Sequence, residues 1–157
     1  MDEKLNLFKG TVTAILAAIG AFLGWKGILA LVWAALMAID YISGSAAAAK
    51  EGNWSSAAAR QGIWHKAGMI LVVIVAALAD GVLDLAFGNL HIGFQWPGIL
   101  LPLVLVWYII TEMGSILENA VKMGAKLPSW LPKIMKAGLK AVDSVGDQAA
   151  MEERKDE

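Results

Sequence analysis

Three stretches of this chain, 27–47, 67–88 and 98–118, each run for about twenty predominantly apolar residues. At about 1.5 Å per residue, a helix of that length matches the roughly 30 Å hydrocarbon core of a bilayer. Lipid offers the backbone no hydrogen bonds, so such runs cross it as helices. A fourth stretch, TVTAILAAIGAFLG at 11–24, makes only about 21 Å of helix and needs Leu5–Phe8 or local thinning to cross. The expectation is an all-α integral membrane protein with four transmembrane helices, three being the alternative. Gly24-Trp25-Lys26-Gly27 is read as a tight turn between the first two.

Composition agrees with that solvent. The 157 residues are 58% hydrophobic and 17% charged, whereas soluble domains are about 45–50% apolar and about a quarter charged. So small a soluble core could not hide the excess. The absence of cysteine excludes disulfides, thiolate-bound zinc and thiol nucleophiles. His65 and His91 are too few for a His-rich metal centre, so no metal or cofactor is expected. A net charge of −1 gives no ground for a nucleic-acid partner. MDEKLNLFKG lacks the charge pattern and cleavage site of a signal peptide, so the N-terminus is expected to be retained.

Basic residues set the orientation. Lys50, Arg60 and Lys66 follow the second stretch, and Lys122, Lys126, Lys133, Lys136 and Lys140 follow the last, while Lys26 stands alone in the first turn. Both basic regions are therefore expected at the cytoplasmic surface, with both termini there if four helices cross. Trp25 and Trp96 fall at the outer boundary and Trp54, Trp64 and Trp130 near the inner one, as interfacial tryptophans do. Residues 1–127 are thus expected to form the membrane domain. In 128–142, Trp130, Ile134, Met135, Leu139 and Val142 recur at helical spacing, with the three lysines opposite. That describes a short basic amphipathic helix, suited to the anionic inner leaflet or to a cytoplasmic loop of the same protein. Residues 143–157 are charged and without apolar period, and read as a disordered tail.

Five acids lie in or beside the crossings: Asp40, Asp80, Asp84, Glu112 and Glu118. A charged side chain at mid-bilayer costs about 2.5–3.5 kcal/mol on insertion scales. With no lysine or arginine inside a full-length stretch, hydrogen bonding, water or protonation must compensate. Counting along the helices puts Asp40 and Glu112 both roughly 20–22 Å below the outer boundary, with Asp80 and Asp84 at a higher level. Around Glu112, Tyr108, Thr111, Ser115, Glu118 and Asn119 fall within an arc of about 120°, and Ile109, Ile110, Met113, Ile116 and Leu117 lie opposite. Such a stripe is either glue between helices of one bundle or a face for oligomer partners or an aqueous pore. Self-association is the expected cover, with Glu112, Asp40 and Asp80 mainly protonated before assembly and hydrated afterwards.

No phosphate-binding loop, zinc-protease motif, nucleophile elbow or dinucleotide fingerprint is present, so an enzyme is not expected. A small proton- or ion-coupled transporter using Asp40 and Glu112 is the alternative, followed by a structural adaptor. No inverted repeat or matched pair of broken helices supports transport.

IDYISG (39–44), GIWHKAGMILVVIVAALAD (62–80) and YIITEMGSILENAVKMGAKLPSWL (108–131) resemble, in order, the motifs of the phage-lysis and toxin-secretion holin family. The likeness covers about two-thirds of the chain, and the last motif is its most specific part. His65-Lys66 stands where two lysines are usual, and Thr111 where asparagine is common. The resemblance implies a protein that accumulates in the cytoplasmic membrane of a bacterial host and then oligomerises abruptly. The lesion collapses the membrane potential and gives an endolysin access to the cell wall, or assists export of a toxin.

Overall fold

The computed structural model describes the backbone of residues 2–90 and 95–152, and side chains of 24–90 and 95–151. Four helices follow in order: α1 (Asp2–Lys50), α2 (Ser56–Leu90), α3 (Leu100–Lys122) and α4 (Leu131–Glu152). Among the described residues, three helices are long and apolar enough to cross a membrane: Gly24–Lys50, α2 and α3. The protein is accordingly an all-α, multi-pass membrane protein. The crossing expected at 11–24 lies outside the residues whose side chains are described.

Gly24 interrupts α1 at φ 66°, ψ −176°, a backbone region that is essentially glycine's own. The break is thus a single residue and not a four-residue turn. At the other end, Gly52 takes φ 72° in the short link to α2, whose first turn is capped by the Ser55 hydroxyl accepting from Ala58 N–H. Because α2 begins at Ser56, much of the basic segment 50–66 is helix and not loop. Gly124, at φ 101°, ends α3: Ala125 N–H reaches the Ala120 carbonyl, and Lys50 donates to the Met123 carbonyl. That last bond ties together the C-terminal ends of α1 and α3, at the basic (inner) end of the bundle.

α3 is the hub, packed against α1, α2 and α4, whereas α1 and α2 barely touch. The core is small: Trp33, Met69 and Leu105 are buried, with Leu29, Met37, Val73, Leu101 and Tyr108 around them. Trp33 and Tyr108 stack with ring centroids 5.9 Å apart. Outside this core, Ile28, Leu31, Val32, Ile39 and Ile42 of α1 and Ile63, Leu71, Val75, Leu78 and Val82 of α2 are exposed. An apolar surface this extensive is intelligible only as a lipid contact. It runs from Ile28 to Ile42 on α1 and from Ile63 to Val82 on α2, about 22 and 30 Å of helix, the scale of the hydrocarbon core.

α4 departs from both sequence expectations. It extends ten residues past Val142, so the first part of the presumed tail is helical. It also folds back antiparallel along α3: a Cβ on Gly138 would meet Ile110 Cδ1 at 3.2 Å, and Trp107 Nε1 donates to Asp143 Oδ1 at 3.0 Å. Leu131, Met135, Gly138, Leu139, Val142 and Gly146 are the half-buried positions, whereas Trp130 and Ile134 are exposed. The apolar face has found α3, the most apolar unoccupied surface near it.

Candidate functional site

Each of the three crossing helices carries one polar level near its inner end and another near its outer end. Asp40, Lys66 and Glu112 form the inner one. Lys66 Nζ donates to Asp40 Oδ2 at 3.0 Å and to both carboxyl oxygens of Glu112 at 2.8 and 2.7 Å. Glu112 is only 3% exposed and the Lys66 side chain 15%. Asn119 completes the knot, its amide donating to Asp40 Oδ1 at 3.0 Å and to Ser43 Oγ at 3.1 Å. Gly44 packs beside that amide, and a Cβ there would stand 3.4 Å from Asn119 Nδ2, at ordinary contact distance.

This geometry corrects two expectations. Lys66 is not a membrane-surface cation; ten residues into α2, it reaches sideways between α1 and α3. The intramembrane acids Asp40 and Glu112 therefore do have a cation, and protonation is not the sole way to offset their burial. The stripe on α3 divides accordingly. Tyr108, Glu112 and Asn119 are covered by α1 and α2 of the same chain, so they do not need neighbouring copies to hide them from lipid. Thr111 donates to the Trp107 carbonyl one turn back, at 2.9 Å, on the side toward α4. Ser115 and Glu118 stand between, and both line the clefts on either side of α3.

Beneath the knot lies a cavity of about 310 Å³, walled by α1, α2 and α3 and including Tyr41, Ser45, His65, Ser115 and Glu118. Lys66 and Asp40 are among its lining residues. Among the described residues, no group of His, Cys, Asp or Glu could hold a metal ion.

The outer level is built around Asp80, 7% exposed. Its carboxylate accepts from Leu100 N–H at 3.0 Å, Leu101 N–H at 2.9 Å and Trp96 Nε1 at 2.9 Å. Ile99 at the start of α3 offers no side-chain cap; Asp80 supplies it from another helix, where the helix dipole also favours an anion. Lys26 Nζ donates to the Gly98 carbonyl at 2.7 Å, drawing α1 into the same level. Gly98 sits at φ 64°, and a Cβ there would come within 2.6 Å of Lys26 Nζ. Asp84, one turn beyond Asp80, is exposed and joins neither level. Along all three helices, from Lys26 to Asp40, Asp80 to Lys66 and Leu100 to Glu112, the levels are about 18–21 Å apart. A dry core therefore lies between two polar ties, both satisfied within one molecule.

Sequence spacing alone revealed neither the Asp80 cap nor the Lys26 and Trp107 links, which join segments far apart in the chain. The missing local cap at Ile99 was the available signal for the first. Of the basic surface residues, Lys50, Arg60, Lys122 and Lys126 are exposed at the inner end. Lys133, Lys136 and Lys140 stand instead along the outer side of α4, beside the bundle.

The residues that converge on Lys66 all lie within the part of the chain that resembles known proteins. Residues 17–140 match the bacteriophage holin family. An uncharacterized protein of Halalkalibacterium halodurans is 32% identical over 125 residues, covering 80% of this chain and 88% of its own. Uncharacterized proteins of Listeria innocua and Listeria monocytogenes are each 30% identical over 119 residues, 76% of this chain and 77% of theirs. No solved structure matches the chain.

Proposed function

Because the chain belongs to the bacteriophage holin family, which is not a family of enzymes, we propose that it opens lesions in the host cytoplasmic membrane. Copies accumulate there, associate with one another and collapse the membrane potential. An endolysin then reaches the cell wall, or a toxin leaves the cell. The observation that carries this reading is the extent of the family match, which takes in all three apolar helices and the whole Lys66 knot. The basic ends of α1, α2 and α3 face the cytoplasm in this reading, next to anionic lipid.

The fold supplies a physical basis for harmless accumulation. The buried acids Asp40, Asp80 and Glu112 are paired inside the chain, and the outer surfaces of α1 and α2 suit lipid. A lone copy can therefore insert without opening anything.

Induced expression in a bacterium, with and without a co-expressed endolysin, tests the reading. Potential is expected to fall abruptly after a delay, with lysis only when the endolysin is present. Growth that continues at full potential despite membrane accumulation would refute it. A peptidoglycan-hydrolase gene beside this one would favour lysis, and toxin genes would favour export. The cavity that Lys66 helps to line is the one feature that favours a coupled transporter instead; such a protein would move a small solute in proportion to a gradient and leave the potential standing.

A further inference from the structure

Resting on the holin reading, we infer that α4 is the helix that lines the lesion, standing along α3 with Lys133, Lys136, Lys140 and Asp147 toward water.

The register places α4 at membrane depth. Gly138 lies against Ile110 and Asp143 against Trp107, while Leu103 and Val104 share a cleft with Gly146 and Asp147. These contacts run steadily antiparallel, from the inner end of α3 almost to its outer start. The 22 residues of α4 make about 33 Å of helix, enough to match the hydrocarbon thickness. Six charged residues among its 22 set α4 apart from the three apolar crossings.

That charge decides what must lie beyond it. With Gly138 facing α3, Lys133, Lys136, Lys140 and Asp147 fall within an arc of about 60° on the opposite side. All four are exposed, and α3 is the one helix that α4 contacts among the described elements. Hydrocarbon cannot face such an arc. Another lipid-type helix cannot either, because the exposed sides of α1 and α2 are apolar. Water can.

A lone copy in intact lipid has no water at that depth, so α4 must then lie elsewhere, with its lysines among the inner headgroups. The structure permits the swing. Lys50 holds the Met123 carbonyl, which fixes the end of α3, and Gly124 at φ 101° follows at once. Open clefts of about 670 and 550 Å³ flank the seat on α3. Standing α4 upright becomes favourable only when several copies put their charged arcs around shared water. Insertion and assembly are thereby one event, which makes opening abrupt.

The absence of native cysteine makes the test direct. The full chain carrying Ile110→Cys with Gly138→Cys, and separately Val104→Cys with Gly146→Cys, is joined by a short bismaleimide and reconstituted in dye-loaded liposomes. Chains with α4 tied to α3 are expected to release dye at least as well as untied ones. In releasing membranes, a charged maleimide is expected to modify Lys140→Cys and Asp147→Cys about tenfold faster than Met135→Cys and Val142→Cys. If the untied chain releases dye but both tied pairs are silent, α4 on α3 is a closed state and the inference fails, leaving the holin reading intact. Equal, slow modification of all four positions in releasing membranes overturns it too. An untied chain that releases nothing at any dose removes the holin reading and this inference with it.

Discussion

Lys66 is the residue on which the inner half of the bundle depends. It is the common donor to Asp40 and Glu112, so Lys66→Met leaves two carboxyls facing each other across a largely buried site. Removing one partner from a buried ion pair destabilises by about 3–5 kcal/mol; denaturant titration of the detergent-solubilised chain followed by circular dichroism should show a loss of that order. Adding Glu112→Gln to Lys66→Met should recover part of it, because the second change removes a charge that the first left unpaired. In the induced-expression assay, Glu112→Leu should shift the time of lysis, since it frees Lys66 from its better-buried partner; unchanged timing would separate the knot from function. At the outer level, Asp80→Ala removes the acceptor for three N–H groups and should cost about 1–2 kcal/mol, with Asp80→Asn milder. Residue positions were partly legible beforehand. Counting along helices placed Asp40 and Glu112 at one depth, and both bind Lys66. Lys66 itself was misread because hydropathy marks where a run of apolar residues begins, not where its helix does.

At the scale of elements, four glycines, Gly24, Gly52, Gly98 and Gly124, hold conformations that side chains resist. Gly24→Ala must force φ out of the positive region and straighten α1 there, at about 1–3 kcal/mol. Hydrogen exchange should then show protection running continuously through residues 22–28, where the native chain exchanges faster; no difference would contradict the break. The three long apolar helices were readable from length and apolarity alone, since lipid imposes so few options on a backbone, while the fourth crossing expected at 11–24 lies among residues whose side chains are not described. α4 was readable as amphipathic, but not where it docks. Periodicity states that a face is apolar and says nothing about which neighbour will cover it. The alanine-rich 149–150 and the contact of Val142, Asp143 and Gly146 with α3 carry the helix onward through sequence that, taken alone, has the composition of a solvated tail.

The whole molecule is a bundle that pairs its own buried acids Asp40, Asp80 and Glu112, with one amphipathic helix attached to the outside of its hub. That division is why the stripe on α3 did not reveal its role: a polar arc looks the same whether its partners belong to the same chain or to another copy. In the proposed reading, the tendency to open a membrane lies outside the core, in an element whose charged side has no acceptable neighbour in intact lipid. The most direct measurement is release from liposomes loaded with both a small dye and a dextran of enzyme size, with no ion gradient and no added solute. Above a threshold amount of protein, both contents should escape together, and below it neither should. Vesicles that keep their dextran at every protein dose, or that leak only small ions in response to a gradient, would contradict the account.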